Sequence, residues 1–102
     1  GWIGDYPDPL TFLDIFTSRS GNNDAAYSNP EFDRLVEEAQ ATTDTTRRLE
    51  LFRAAERKLI QEDMAVAPVY FYVNQVLIRD SVKGLVHNPL GYMYFDKVRV
   101  TR

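Results

Sequence analysis

A chain of 102 residues is long enough for one modest domain with a single core. Apolar residues make up 44% and charged residues 26%, the balance of an ordinary globular sequence rather than a disordered one. The net charge of −3 provides no clustered basic face for nucleic acid or an anionic membrane, and the lack of cysteine excludes disulfides, thiolate catalysis and cysteine-based zinc sites. No apolar run approaches the roughly 18 residues that a membrane span needs. The chain opens Gly1-Trp2-Ile3 with no Met and no polar lead-in, as expected of a piece cut from a longer protein.

Gly4-Asp5-Tyr6-Pro7-Asp8-Pro9 is dense in turn residues, and each proline biases its predecessor toward extended backbone. Apolar side chains at Phe12, Leu13 and Phe16 then predict a short helix, and Gly21, Asn22, Asn23 and Asp24 mark residues 18–28 as a loop. Ser28-Asn29-Pro30-Glu31 has the S-x-x-E capping spacing with proline in the first turn, ahead of an apolar stripe at Phe32, Leu35, Val36 and Ala39. Thr43 and Asp44 are candidate caps of a second helix that ends near Glu62 or Asp63. Its predicted face is Leu49, Phe52, Glu56 and Leu59, with Ala55 and Ile60 beside it.

The texture changes at residues 67–73 and 75–78, where β-branched and aromatic residues predict two strands with a bend at Asn74-Gln75. Residues 81–85 read as a loop, 88–91 as a turn, and 97–100 as a final strand. Helices followed by strands give an α+β arrangement.

Few of these residues suggest chemistry. Asp5, Asp8 and Asp14 include the two carboxylates that glycoside chemistry uses, but only spatial separation is diagnostic, and the prolines break any calcium-loop spacing. Turn and cap roles suit Asp8 and Asp14 better. His87 is the single histidine and supports neither a triad nor a metal site. No phosphate-cradling or nucleophile-elbow motif occurs. Tyr70, Phe71 and Tyr72 alternate faces, with core or sheet-surface packing as their ordinary role. On residues alone the chain is an α+β piece without catalytic machinery.

The opening Trp2-Ile3-Gly4-Asp5-Tyr6-Pro7-Asp8-Pro9 resembles the W-x-x-D-Y-x-(D/E)-P segment of bacterial oligopeptide-binding proteins, solute-binding protein family 5. Further landmarks follow in order: Phe12-Leu13, the asparagine loop, Tyr27-x-x-Pro30-x-Phe32-Asp33, Ala55-Glu56, Pro68 to Asn74, Val82-Lys83-Gly84, and Val98-x-Val100. The resemblance implies an α+β fragment of a two-lobed, hinged α/β clamp of the type II periplasmic-binding-protein kind. Such a clamp captures short peptides by their backbone and free ammonium, without a cofactor or metal, and delivers them to ABC permease subunits in the membrane. It works on the extracellular side of the bacterial cytoplasmic membrane, in the periplasm or as a lipoprotein anchored to the cell surface.

By the same resemblance, residues 1–73 are the C-terminal part of the peptide-binding lobe, and residues 74–102 return through the hinge. Asp5 matches the family's anion for the ligand ammonium, with Trp2, Gly4 and Tyr6 shaping its surroundings. Asn23, or Asn22 by a register slip, matches a ligand-contacting loop, and Tyr72 matches a cleft aromatic. One departure is Ile3, which stands where some members carry a disulfide-forming cysteine. Two rival readings are an independent protein–protein interaction module, expected to expose no large apolar patch, and a carboxylate enzyme, which would need Asp5 and Asp8 in one pocket. The fragment reading expects residues 67–78 to be uncovered and self-association to follow.

Overall fold

The computed structural model describes residues 1–102, which form two compact units, Gly1–Val69 and Tyr70–Arg102. The first is helical. After the proline-rich opening, α1 (Leu10–Leu13) tightens into a 3-10 turn at Asp14–Phe16. The loop that follows leads to α2 (Pro30–Ala41), and three residues later α3 (Thr45–Arg57) begins, running into a π-helical turn at Lys58–Glu62.

The caps explain where these helices start. Asn29, not the Ser28 of the S-x-x-E spacing, is the N-cap of α2, and its Oδ1 accepts from the backbone N–H groups of Glu31 and Phe32. Pro30 at the first helical position prevents the helix from starting earlier. Of the two candidates for α3, Asp44 is the cap, its carboxylate accepting from the Arg47 N–H at 2.7 Å. Such caps contribute about 1 kcal/mol each.

The core lies between the helices. Phe32, Val36 and Ala39 of α2 meet Leu51, Phe52, Ala55 and Leu59, while Leu13 closes one end. The stripe on α2 is as predicted, with Leu35 at its edge. On α3 the buried face is rotated from the predicted one: Leu51 and Ala55 are inside, whereas Leu49 and Glu56 are exposed. The physical reason is the carboxylate of Glu56, which cannot enter an apolar seam without a partner, so the helix turns its alanine inward instead. The ring of Tyr27 packs edge-on against Phe32 with centroids 5.3 Å apart.

The π-helical turn sits in a polar clasp. The Lys58 ammonium pairs with Glu31 and Glu62, and the Asp63 carboxylate accepts from the Tyr27 hydroxyl and the Asn29 amide, each at 2.6 Å. These bonds join the end of the long helical run to the start of α2.

The second unit contains four two-residue strands. Strands β1 (Val82–Lys83) and β4 (Arg99–Val100) pair antiparallel, as do β2 (Val86–His87) and β3 (Met93–Tyr94). The predicted turn at 88–91 is present, folded around Asn88, whose Oδ1 accepts from Leu90 and Tyr92. Gly84 adopts φ +81°, and a Cβ there would lie 2.1 Å from the Lys97 carbonyl oxygen, so both backbone and packing demand glycine.

The strands predicted at 67–73 and 75–78 do not form. No backbone or side-chain hydrogen bond involves residues 67–78. Strand-forming side chains are present, but a strand exists only against a neighbour, and these 102 residues place none beside it. The final strand is likewise limited to the two residues that find a partner.

Candidate functional site

The site is built where the first eight residues lie against α1. Thr11 is the hub, a polar side chain only 2% exposed. Its hydroxyl accepts from the Asp5 backbone N–H at 3.1 Å, and its carbonyl accepts from the Trp2 indole N–H at 2.6 Å. Gly4 lies buried between them. A Cβ at Gly4 would come within 2.7 Å of the Phe12 ring and 3.1 Å of the Thr11 methyl, so the segment can approach the helix this closely only as glycine. Thr11 was not a predicted site residue. A lone threonine in an apolar turn offers no sequence signal for this role.

Asp8 performs two structural tasks. One carboxylate oxygen accepts from the Leu10 N–H at the start of α1, and the two oxygens accept from the Arg48 guanidinium, at 2.6 and 2.8 Å. Arg48 in turn lies 4.7 Å from the centroid of the Phe52 ring. The Arg48 hydrogen bonds, outweighing partial burial and helped by the Leu10 N–H, hold the Asp8 carboxyl below its ordinary range. With both oxygens committed, Asp8 is a clamp between the opening segment and α3.

Asp5 is different. Its backbone is fixed by Thr11, but its exposed carboxylate has no hydrogen-bond or ion-pair partner in the chain. Asp14 also lacks a cation. Burial pushes its carboxyl up, the negative charge of Asp5 adds to this, and the Ile15 N–H opposes it. Burial is likewise the main reason that the Tyr6 hydroxyl titrates high, with Asp14, Asp8 and Asp5 contributing and Arg48 opposing. Arg48 neutralises Asp8 alone, so the surface around Asp5 and Tyr6 retains two uncompensated negative charges and favours a cation.

The structure brings Trp2, Gly4, Asp5 and Tyr6 together on this segment. Asn22 joins Trp2 in lining a groove of about 380 Å³, whose apolar wall includes Ile15, Phe16, Ala65 and Val66. Asn23 is not free in the same way. Its amide donates to the Thr17 and Tyr27 carbonyls and its Oδ1 accepts from the Tyr27 N–H, so it folds its own loop. Tyr72 lies in the second unit, exposed, its ring 6.5 Å from that of Tyr70.

No protein-family model matches the chain. It is 43% identical over 96 residues to the oligopeptide-binding protein OppA of Bacillus subtilis, covering 93% of this chain and 17% of the relative. It is 38% identical over 103 residues to the periplasmic oligopeptide-binding protein OppA of Salmonella typhimurium, covering 100% of this chain and 19% of that protein. A solved structure, the substrate-binding domain of an oligopeptide ABC transporter from Bacillus anthracis, superposes with a TM-score of 0.83 at 30% identity, over 99% of this chain and 20% of the other. The chain thus spans about one-fifth of the length of the proteins it matches.

Proposed function

This chain belongs to the oligopeptide-binding proteins of ABC transporters, and from that we propose that it forms one wall of a peptide-capturing cleft serving an importer. In this reading Asp5 receives the free N-terminal ammonium of a short peptide. The observation that carries it is the unpaired Asp5 carboxylate, held in place through its own backbone bond to Thr11, on a surface with net negative charge. An ammonium enclosed in a cleft requires a fixed anion, because a buried, unpaired charge is costly. The ligand's backbone is satisfied by strand-like hydrogen bonds, while wet pockets accept varied side chains.

Trp2 and Asn22, which line one groove, are offered as a ligand-facing wall, although Asp5 is not among the residues of that groove. The Trp2 N–H is committed to Thr11, which leaves the indole face for ligand contact. Gly4 and Asn23 support the site by packing and loop folding, and Tyr6 and Tyr72 are offered as aromatic contacts. Residues 1–73 belong to the peptide-binding lobe and residues 74–102 lead back through the hinge. The place of action is the periplasm or the outer face of the cytoplasmic membrane, beside the permease subunits. The rival of an independent interaction module predicted no large exposed apolar patch, and Phe71 and Leu77 are fully exposed.

Calorimetry of a family-length protein carrying this segment, with a tripeptide and with its N-acetylated twin, tests the anchor. Acetylation is expected to abolish binding, and Asp5→Ala to weaken it about a hundredfold, or ~2.7 kcal/mol. Equal binding of the two peptides sinks the ammonium role, and binding of neither sinks the peptide assignment.

A further inference from the structure

The groove that Trp2 lines is bordered by two stretches far apart in the chain, the loop residues Asn22, Asp24 and Ala25 and the pair Ala65 and Val66. Both lead back to one carboxylate. Asp63 Oδ2 accepts from the Tyr27 hydroxyl and from the Asn29 amide, each at 2.6 Å. Tyr27 in turn closes the asparagine loop, because its backbone N–H donates to Asn23 at 3.1 Å and its carbonyl accepts from Asn23 at 2.6 Å. Asn29 uses its other side-chain atom, Oδ1, to cap α2. Beyond Asp63 the chain turns sharply. Met64 adopts φ +49°, a left-handed backbone that is costly for a residue with a side chain, and the Ala65 N–H reaches back to the Leu59 carbonyl at 2.9 Å.

We infer that Asp63 is a positioning residue for this groove, fixing the asparagine loop and the Ala65–Val66 stretch relative to each other without itself lining the groove. The Tyr27 and Asn29 hydrogen bonds hold its carboxyl below the ordinary range, opposed by desolvation and helped by the Lys58 charge, so it accepts as a carboxylate at neutral pH. Charge-assisted bonds are shorter and stronger than neutral ones, and a strained backbone such as that of Met64 persists only where its surroundings hold it. All of these partners lie within Gly1–Val69, the unit that carries the core. That the groove receives a ligand side chain rests on the proposed function; the positioning of its two borders rests on the hydrogen bonds alone.

Two measurements on a family-length protein carrying this segment keep these parts separate. In amide exchange, Asp63→Ala is expected to speed exchange at both Tyr27 and Ala65 about tenfold or more, while Val36 and Leu51 in the helical core keep their protection. Asp63→Asn retains an acceptor oxygen and is expected to restore most of the lost protection. In calorimetry, trileucine is compared with triglycine. Asp63→Ala is expected to lower the preference for trileucine about tenfold, the low end of what filling an apolar pocket contributes, while triglycine binds as before. Unchanged exchange at either Tyr27 or Ala65 overturns the inference, as does an equal loss of affinity for both peptides. If the unsubstituted protein binds no peptide, the proposed function falls, and faster exchange at both amides still upholds Asp63 as the residue that fixes the two stretches.

Discussion

The two units of this chain are both rich in apolar residues and reach different ends. In Gly1–Val69, α2 and α3 satisfy their own backbones, and two helices with a short connection bury each other's apolar stripes. In Tyr70–Arg102 no residue is buried, and the longest strand-like run has no neighbour. A helix closes its hydrogen bonds within itself, whereas a strand depends on a partner that can lie anywhere in a polypeptide. Local sequence therefore produces a finished core in one unit and an open edge in the other.

The comparison breaks most strongly at Phe32, the largest fully buried apolar side chain of the first unit. Phe32→Ala is expected to cost about 3–5 kcal/mol and to melt the helical signal, while amide exchange in the second unit is unchanged. Gly84→Ala is the converse. The +81° backbone and the collision with the Lys97 carbonyl are expected to cost about 1–3 kcal/mol and to speed exchange at Val82 and Val100, leaving helical melting as it was.

Two smaller effects sharpen the account of the first unit. Asp8→Asn removes the clamp to Arg48, with an expected loss of about 1–2 kcal/mol at neutral pH. The Asp8 pKa is depressed by folding, so its contribution is present above the ordinary carboxylate range and disappears as pH falls through the folded value. The difference in melting temperature between wild type and Asp8→Asn should accordingly vanish in acid. Asp14 has the opposite sign. Its pKa is raised by burial, so ionisation opposes folding, and Asp14→Asn is expected to stabilise by up to about 1 kcal/mol at pH 7. That gain should shrink as pH drops through the carboxylate range, where the wild-type group is already neutral.

Read alone, the order of side chains determined both long helices, the asparagine loop, the turn around Asn88 and the family resemblance of the opening nine residues. Each of these rests on local geometry or on a contiguous motif. The choice of Asn29 over Ser28 as a cap was hidden, since neighbouring residues compete for the same N–H groups and the backbone angle decides. The rotation of α3, which buries Leu51 and exposes Leu49, was decided by packing against α2. Asp5 was legible as an anchor only through its motif. That Asp8 is neutralised by Arg48, forty residues away, while Asp5 is left without a cation, depends on which helix the opening segment meets. Thr11 as its support was equally invisible, because a buried acceptor is defined by the donors folded onto it. The strand-forming character of residues 70–78 was written in their side chains. Whether they become a strand is a tertiary matter, because pairing needs a second backbone.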